Sequence, residues 1–174
     1  MKVIIYMSIT PNGYIASSRS GTDFIQSASD RGFRRMMSQV KANVVGTGTY
    51  KKSLESGHFP YKGLNVVMTR KPVKSRWKNV IFTDKGPAEV LELFRKEGYR
   101  RVMVGGGKIN SLFMKAKLVD EIYLDVQPSV FTEGVRVFDG PDFDAKLRLI
   151  GVKRLSRSEV QLHYKVLKKG HPQK

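Results

Sequence analysis

Val102-Met-Val-Gly-Gly-Gly-Lys-Ile-Asn110 joins three apolar residues suited to a buried strand to three glycines, and Lys108 to Lys115 continue with the composition of a helix. A backbone without β-carbons between a strand end and a helix start can approach a phosphate closely. It also presents free N–H groups at the positive end of the helix dipole. Two readings are open at this point: an anion cradle, or a tight strand-to-helix turn that uses glycine only for its conformational freedom.

The chain upstream repeats this grammar. Gly86-Pro87 opens a helix with Pro in the first turn, Val90, Leu91, Leu93 and Phe94 supply its core face, and Gly98 ends it before the strand Arg101 to Val104. Leu64 to Thr69 reads as a strand closed by Arg70-Lys71-Pro72, and Val80 to Phe82 as a shorter one. Ala42 to Gly46 is a buried strand that runs through Thr47-Gly48-Thr49 into a short helix, Tyr50 to Leu54. This is a second junction of small residues between strand and helix. Before it, Phe33, Met36, Met37 and Val40 recur at helical spacing, with Ser29 or Asp30 as the expected cap. Lys2 to Ile9 is almost continuously apolar, as in a central strand covered on both faces, and Thr10-Pro-Asn-Gly13 is turn chemistry before the return Tyr14 to Ala16. Alternating strands and helices signal βαβ units and a mainly parallel sheet.

Beyond Val119 the helices stop. Glu121 to Val126 alternates charged and apolar residues, Pro128 to Gly134 reads as loop, and Leu147 to Leu155 and Val160 to Leu167 form a hairpin about the turn Ser156 to Ser158. The expected organisation is one α/β domain over residues 1–168, followed by a frayed basic tail, 169–174.

Composition limits the function classes. A chain of 174 residues with 40% hydrophobic and 27% charged residues has globular composition, and no apolar run approaches the roughly 18 residues of a membrane span. A cytoplasmic protein is expected. There is no cysteine, and the three histidines (His58, His163, His171) show no metal-ligand spacing, so no metal is expected. The net charge of +17 is spread in short clusters, without a basic arm, zinc-finger pattern or aromatic RNA-binding signature. That distribution favours a basic enzyme surface that attracts small anions over specific nucleic-acid recognition.

Taken in order, Met7 to Ile15, Val44-Val-Gly-Thr-Gly-Thr-Tyr50, Asn65 to Arg70, Val102 to Gly107, Leu118-Val-Asp-Glu-Ile122 and the terminal hairpin resemble the dihydrofolate reductase fold. The resemblance is to the branch containing the C-terminal reductase domain of the riboflavin-biosynthesis deaminase-reductase, and it covers nearly the whole chain. It implies a three-layer α/β/α architecture with a mainly parallel central sheet ending in an antiparallel hairpin. It also implies NADPH as cofactor and pairing of two copies into a homodimer.

The resemblance gives each motif an expected role. Gly46, Thr47, Gly48 and Thr49 would hold the pyrophosphate; Thr69 and Arg70 would take the adenosine 2′-phosphate; Gly105, Gly106, Gly107, Lys108 and Ile109 would complete the other side of the cofactor. It further implies a cis peptide between Gly105 and Gly106. Ser8 and Ile15, at the two ends of one loop, would wall the nicotinamide. Asp30 falls at the position of the acidic residue that holds the pterin in dihydrofolate reductases, with Asp23 as a second carboxylate nearby. Two departures stand out: Thr22 to Gln26 replaces the tryptophan-leucine-proline stretch of true dihydrofolate reductases, and the Asp-Asp-Pro segment of the riboflavin reductases is absent after Tyr50. The function expected is hydride transfer from NADPH to a small heterocycle or sugar-linked imine, phosphorylated if the basic residues Arg34, Arg35 and Lys52 face the site. The alternatives are a non-catalytic nucleotide-binding protein of the same fold and a basic nucleic-acid-associated domain.

Overall fold

The computed structural model describes residues 1–55, 57 and 59–168; His58 and the basic tail 169–174 lie outside the described residues. Ten strands and four helices follow in the order β1 (Lys2–Ile9), β2 (Tyr14–Ser17), α1 (Ser27–Val40), β3 (Ala42–Gly46), α2 (Thr47–Glu55), β4 (Leu64–Met68) and β5 (Val80–Thr83). They continue as α3 (Pro87–Lys96), β6 (Arg101–Gly105), α4 (Gly107–Lys115), β7 (Glu121–Val126), β8 (Gly134–Arg136), β9 (Lys146–Arg154) and β10 (Val160–Leu167).

Eight strands form one sheet in the order β5-β4-β3-β6-β1-β7-β10-β9. Neighbours from β5 to β7 pair in parallel, and only β10 runs antiparallel to both β7 and β9. Val3, Ile4, Ile5 and Tyr6 are buried in succession, as are Val102, Met103 and Val104. Because successive strand residues point to opposite faces, both faces of the sheet centre are covered. This is the mixed α/β sheet with an antiparallel C-terminal end that the residue pattern predicts. The chain leaves β3 for the edge through β4 and β5, then returns to insert β6 between β3 and β1. Such a reversal opens a crevice at the carboxyl ends of the strands.

Three local expectations change. β8, unassigned in the sequence reading, pairs antiparallel with β2 in a separate ribbon; with three exposed residues it has no apolar pattern to betray it. Helix α1 begins at Ser27, with Gln26 as an extended N-cap and no side-chain cap, so neither Ser29 nor Asp30 caps it. Distant groups serve instead: the Gln26 N–H donates to Gln127 Oε1 at 2.9 Å and the Ser29 N–H to Glu159 Oε1 at 3.3 Å. A helix start leaves several N–H groups without internal partners, and here tertiary contacts meet the need that a local cap meets elsewhere. Finally, Gly105–Gly106 is a trans peptide, and the cis bond among the described residues is Phe59–Pro60. The strand-to-helix turn is made by Gly106 at φ +100°, a conformation glycine adopts without a β-carbon penalty.

Candidate functional site

A cleft of about 1740 Å³ opens at the carboxyl ends of β1, β3, β4, β5 and β6. Drug-sized ligands occupy pockets of about 300–1,000 Å³, so this one has room for a dinucleotide and a second molecule together.

The two glycine junctions, read separately in the sequence, form one wall of the cleft. Parallel pairing sets Val45 of β3 beside Gly105 of β6, which brings the starts of α2 and α4 side by side. A β-carbon on Gly106 would stand 2.7 Å from Thr49 Oγ1, and one on Gly46 would stand 3.0 Å from Ile109 Cγ1. Glycine is therefore called for at Gly106 by close approach and by its φ, while at Gly46 a β-carbon would make a tight contact that the Ile109 side chain would have to relieve. At Gly48 a β-carbon would meet nothing within 4 Å, so the α2 side of this wall is open.

Gly46, Thr47, Gly48, Thr49, Gly106, Gly107, Lys108 and Ile109 all line the cleft. Gly105 does not; it borders a small adjoining cavity of about 60 Å³. Thr69 and Arg70 line the cleft from the end of β4, where Thr69 Oγ1 accepts the Lys71 N–H at 3.2 Å and so fixes the turn that carries Arg70. Thr83, at the end of β5, receives the Lys85 N–H in the same way at 3.1 Å. Cations outnumber acids on the lining, with Arg34, Lys52, Lys62, Arg70, Lys71, Lys85 and Lys108 against Asp30, Asp84 and Asp139. Two helix N-termini and this excess of positive charge suit a polyanion. The residues present therefore fit a phosphorylated dinucleotide: a turn at Gly106 that calls for glycine, an open first turn of α2, and a guanidinium one strand away.

Ser8 and Ile15 line the other side, brought together by the turn in which the Gly13 N–H donates to Thr10 O at 2.9 Å. Asn12 and Tyr14 tie this turn to the loop before β8 through Phe131 O and Thr132 O. Asp30 also lines the cleft, partly exposed and paired with Arg34 at 2.7 Å. Arg34 and Lys52 face the cleft, whereas Arg35 is exposed and outside its lining, as is Asp23. Several lining residues escaped the sequence reading, Asp84, Lys85 and Asp139 among them. Asp139 is placed by its own N–H, which donates to Gly107 O at 3.1 Å. Its one signal in the sequence is the turn dipeptide Asp139-Gly140.

Beneath the Ser8 wall lies a buried polar cluster with no sequence motif. Asp125 of β7 is fully buried and accepts hydrogen bonds from Tyr6 Oη at 2.9 Å, Ser29 Oγ at 2.8 Å and Gln161 Nε2 at 2.7 Å. Burial pushes its pKa above the usual aspartate value; the three donors oppose that shift and the nearby Glu159 charge adds to it. Burial, followed by the Asp125 charge, raises the Tyr6 phenol far above its ordinary value. Among the described residues no group of acids, histidines or cysteines could hold a metal ion.

Comparison with known proteins places this architecture. The chain is 28% identical over 169 residues to the uncharacterized protein YwjB of Bacillus subtilis (strain 168), covering 94% of this chain and 97% of that protein. It is 24% identical over 176 residues to the uncharacterized protein YyaP of the same strain, covering 94% of each. Among solved structures it superposes on a putative riboflavin biosynthesis protein from Shewanella sp. PV-4 with a TM-score of 0.85 at 21% identity, covering 97% of this chain and 100% of that one. It also superposes on the diaminohydroxyphosphoribosylaminopyrimidine deaminase/5-amino-6-(5-phosphoribosylamino)uracil reductase of Thermotoga maritima, with a TM-score of 0.78 at 21% identity, covering 95% of this chain and 56% of that one. At these identities the structural likeness is one of fold. The model of the RibD C-terminal domain matches residues 1–160, and on that match the chain belongs to the RibD C-terminal domain family.

Proposed function

We propose that this protein is an NADPH-dependent reductase that delivers a hydride to a C=N or C=O bond of a small, phosphorylated, sugar-linked heterocycle. The observation that carries the reading is the single cleft into which the starts of α2 and α4, Thr69 and Arg70 all open. Family membership supports a reductase, and the reductase named for the Thermotoga maritima neighbour acts on a phosphoribosylaminouracil. We assign this chain the same substrate class.

Gly46 to Thr49 and Gly106 to Ile109 would hold the pyrophosphate between two helix N-termini. Thr69 and Arg70 would take the 2′-phosphate, where a guanidinium fork matches a dianion. Gly105 supports this wall from the strand beneath. A reduced nicotinamide bound there supplies a hydride. Ser8 and Ile15 would flank its ring and exclude water, because hydride transfer asks the protein mainly for placement and a dry site. Asp30 would orient the substrate by accepting its ring N–H groups, held in position by Arg34, while Arg34 and Lys52 attract the substrate phosphate.

The protein is further read as a homodimer. β9 is exposed at the sheet edge, and Leu147, Leu149 and Val152 share one face of it with Leu162, Tyr164 and Val166 of β10. An exposed apolar edge strand of this length is a surface that soluble proteins usually cover.

Titrating NADPH at low salt while following its fluorescence tests the function. Micromolar binding followed by NADPH consumption with phosphorylated pyrimidine ribosides is expected. Absence of binding would overturn the reading, and binding without turnover of any such compound would leave a nucleotide-binding protein rather than a reductase.

A further inference from the structure

Asp125 is a buried titratable group without a part in hydride transfer. Asp125 is fully buried and lies behind the cleft wall. Asp125 has no salt bridge among the described residues. A carboxyl group kept from water without a counter-charge is costly as an anion and is better accommodated with a proton.

The fold gives that proton a route. Register places Ser8 of β1 beside Asp125 of β7, and Asp125 beside Gln161 of β10, so the three side chains form a row on one face of the sheet. Helix α1 lies over the row and inserts Ser29, whose Oγ is 2.8 Å from Asp125 Oδ2 and 2.6 Å from Ser8 Oγ. Ser8 lines the cleft; Asp125 does not. We propose that Asp125, Ser29 and Ser8 form a proton-delivery chain in which Asp125 stores the proton and Ser8 releases it into the cleft.

This proposal rests on the reductase reading above. Reduction of a C=N or C=O bond takes one hydride and one proton: carbon receives the hydride and the π pair moves to the heteroatom. The heteroatom then takes the proton of Ser8 Oγ. With Asp125 protonated, the 2.8 Å contact is donated by its carboxyl group to Ser29 Oγ, the reverse of the bond made to the carboxylate, so Ser29 reprotonates Ser8 and Asp125 reprotonates Ser29. A hydroxyl accepts and donates at once, so each transfer breaks one O–H bond and forms another without moving a heavy atom. Asp125 is left as a carboxylate, solvated by donors from Tyr6 and Gln161, and regains its proton from water after the product leaves. The titratable groups that face Asp125 are Tyr6 from β1 and Glu159 ahead of β10; α1 presents Ser29 and Gly32 to this cluster. Tyr6 holds its own proton too tightly to serve as the acid.

The experiment combines infrared spectroscopy of the ligand-free protein with kinetics. A protonated-carboxyl band is expected to persist above the pH at which an exposed aspartate ionises, missing in Asp125→Asn and shifted in Ser29→Ala. Asp125→Asn is expected to bind NADPH within twofold of wild type, to turn over at least about a hundredfold more slowly, the scale of general acid catalysis, and to lose the alkaline limb of the pH–rate profile. Ser8→Ala should show the same kinetic loss and Ser8→Thr should restore most of it, which a purely structural role for Asp125 would not produce. Absence of the band, or an Asp125→Asn variant with wild-type rate and pH profile, would overturn the relay. If Asp125→Asn fails to fold, the Ser8 pair decides: equal rates in Ser8→Ala and Ser8→Thr overturn the relay. Failure of NADPH to bind the wild type is read separately in the fluorescence titration; it would overturn the reductase reading, and the relay with it, whatever the band shows.

Discussion

Gly32 of α1 lies so close to Tyr6 of β1 that a β-carbon at position 32 would stand 2.7 Å from the phenolic oxygen. The missing side chain lets the helix settle onto the hydroxyl that bonds Asp125 at 2.9 Å. Alanine is the better helix former by about 1 kcal/mol. Gly32→Ala is nevertheless expected to destabilise the protein by about 1–3 kcal/mol through overpacking. In a Tyr6→Phe background, where the clashing oxygen is gone, the same change should be neutral or stabilising. Thermal or denaturant melting of the four proteins of this cycle measures the coupling.

The buried Asp125 gives stability a pH dependence of definite sign. Its folded-state pKa is raised, so above the ordinary aspartate value of about 3.9 the folded protein holds a proton that the unfolded chain has released. Stability from this group therefore falls as pH rises through the window between the unfolded and folded values. Below that window both states are protonated and the penalty vanishes. Asp125→Asn removes the titration, so its stability relative to wild type should increase with pH across the window. A difference that stays flat in denaturant titrations over that range would contradict the raised pKa.

Gly106→Ala should be costly twice over. The backbone at φ +100° is one that side chains rarely adopt, and the new β-carbon would press on Thr49 Oγ1. A loss of about 1–3 kcal/mol is expected from backbone strain alone, together with weaker NADPH binding as the α2 and α4 junctions separate. Gly48→Ala meets no neighbour and should fold normally, so melting curves of the two variants separate close approach from ordinary turn freedom.

Arg70→Ala should raise the Kd for NADPH by roughly ten- to a hundredfold, the worth of about 1.5–3 kcal/mol for a hydrogen bond to a charged group. It should leave NADH binding nearly unchanged, since only NADPH carries the 2′-phosphate. Parallel fluorescence titrations with the two cofactors provide the test, and an equal loss for both would remove Arg70 from that role.

Leu149 and Val152 are 51% and 60% exposed on β9. If this face joins two copies, sedimentation should give the mass of a dimer for the wild type and of a monomer for Leu149→Lys combined with Val152→Lys. NADPH binding should be retained, because neither residue lines the cleft.

The central strands, the four helices and the terminal hairpin were legible because their signals are local: continuous apolar runs for strands buried on both faces, 3.6-residue spacing for helices, and Gly-Pro, Asn-Gly and Gly-Gly-Gly at the turns. The two glycine junctions and the Thr69-Arg70 strand end were legible as small and basic residues after strands, but their meeting on one cleft was not. Strand order was not legible, and with it the fact that Gly106 and Thr49 touch, because adjacency of β3 and β6 comes from packing between segments about 60 residues apart. The same holds for the turn at Gly106, made through φ with a trans bond, and for the start of α1, satisfied by Gln127 and Glu159 from the far end of the chain. Asp125 shows the division most clearly. In the sequence it is one charged residue in an alternating strand; the meeting of β1, β7, β10 and α1 removes it from water and sets it two hydroxyls from the cleft. Periodicity and turn chemistry act over a few residues and so are written in the sequence, whereas desolvation and hydrogen-bonded chains depend on neighbours that only folding brings together.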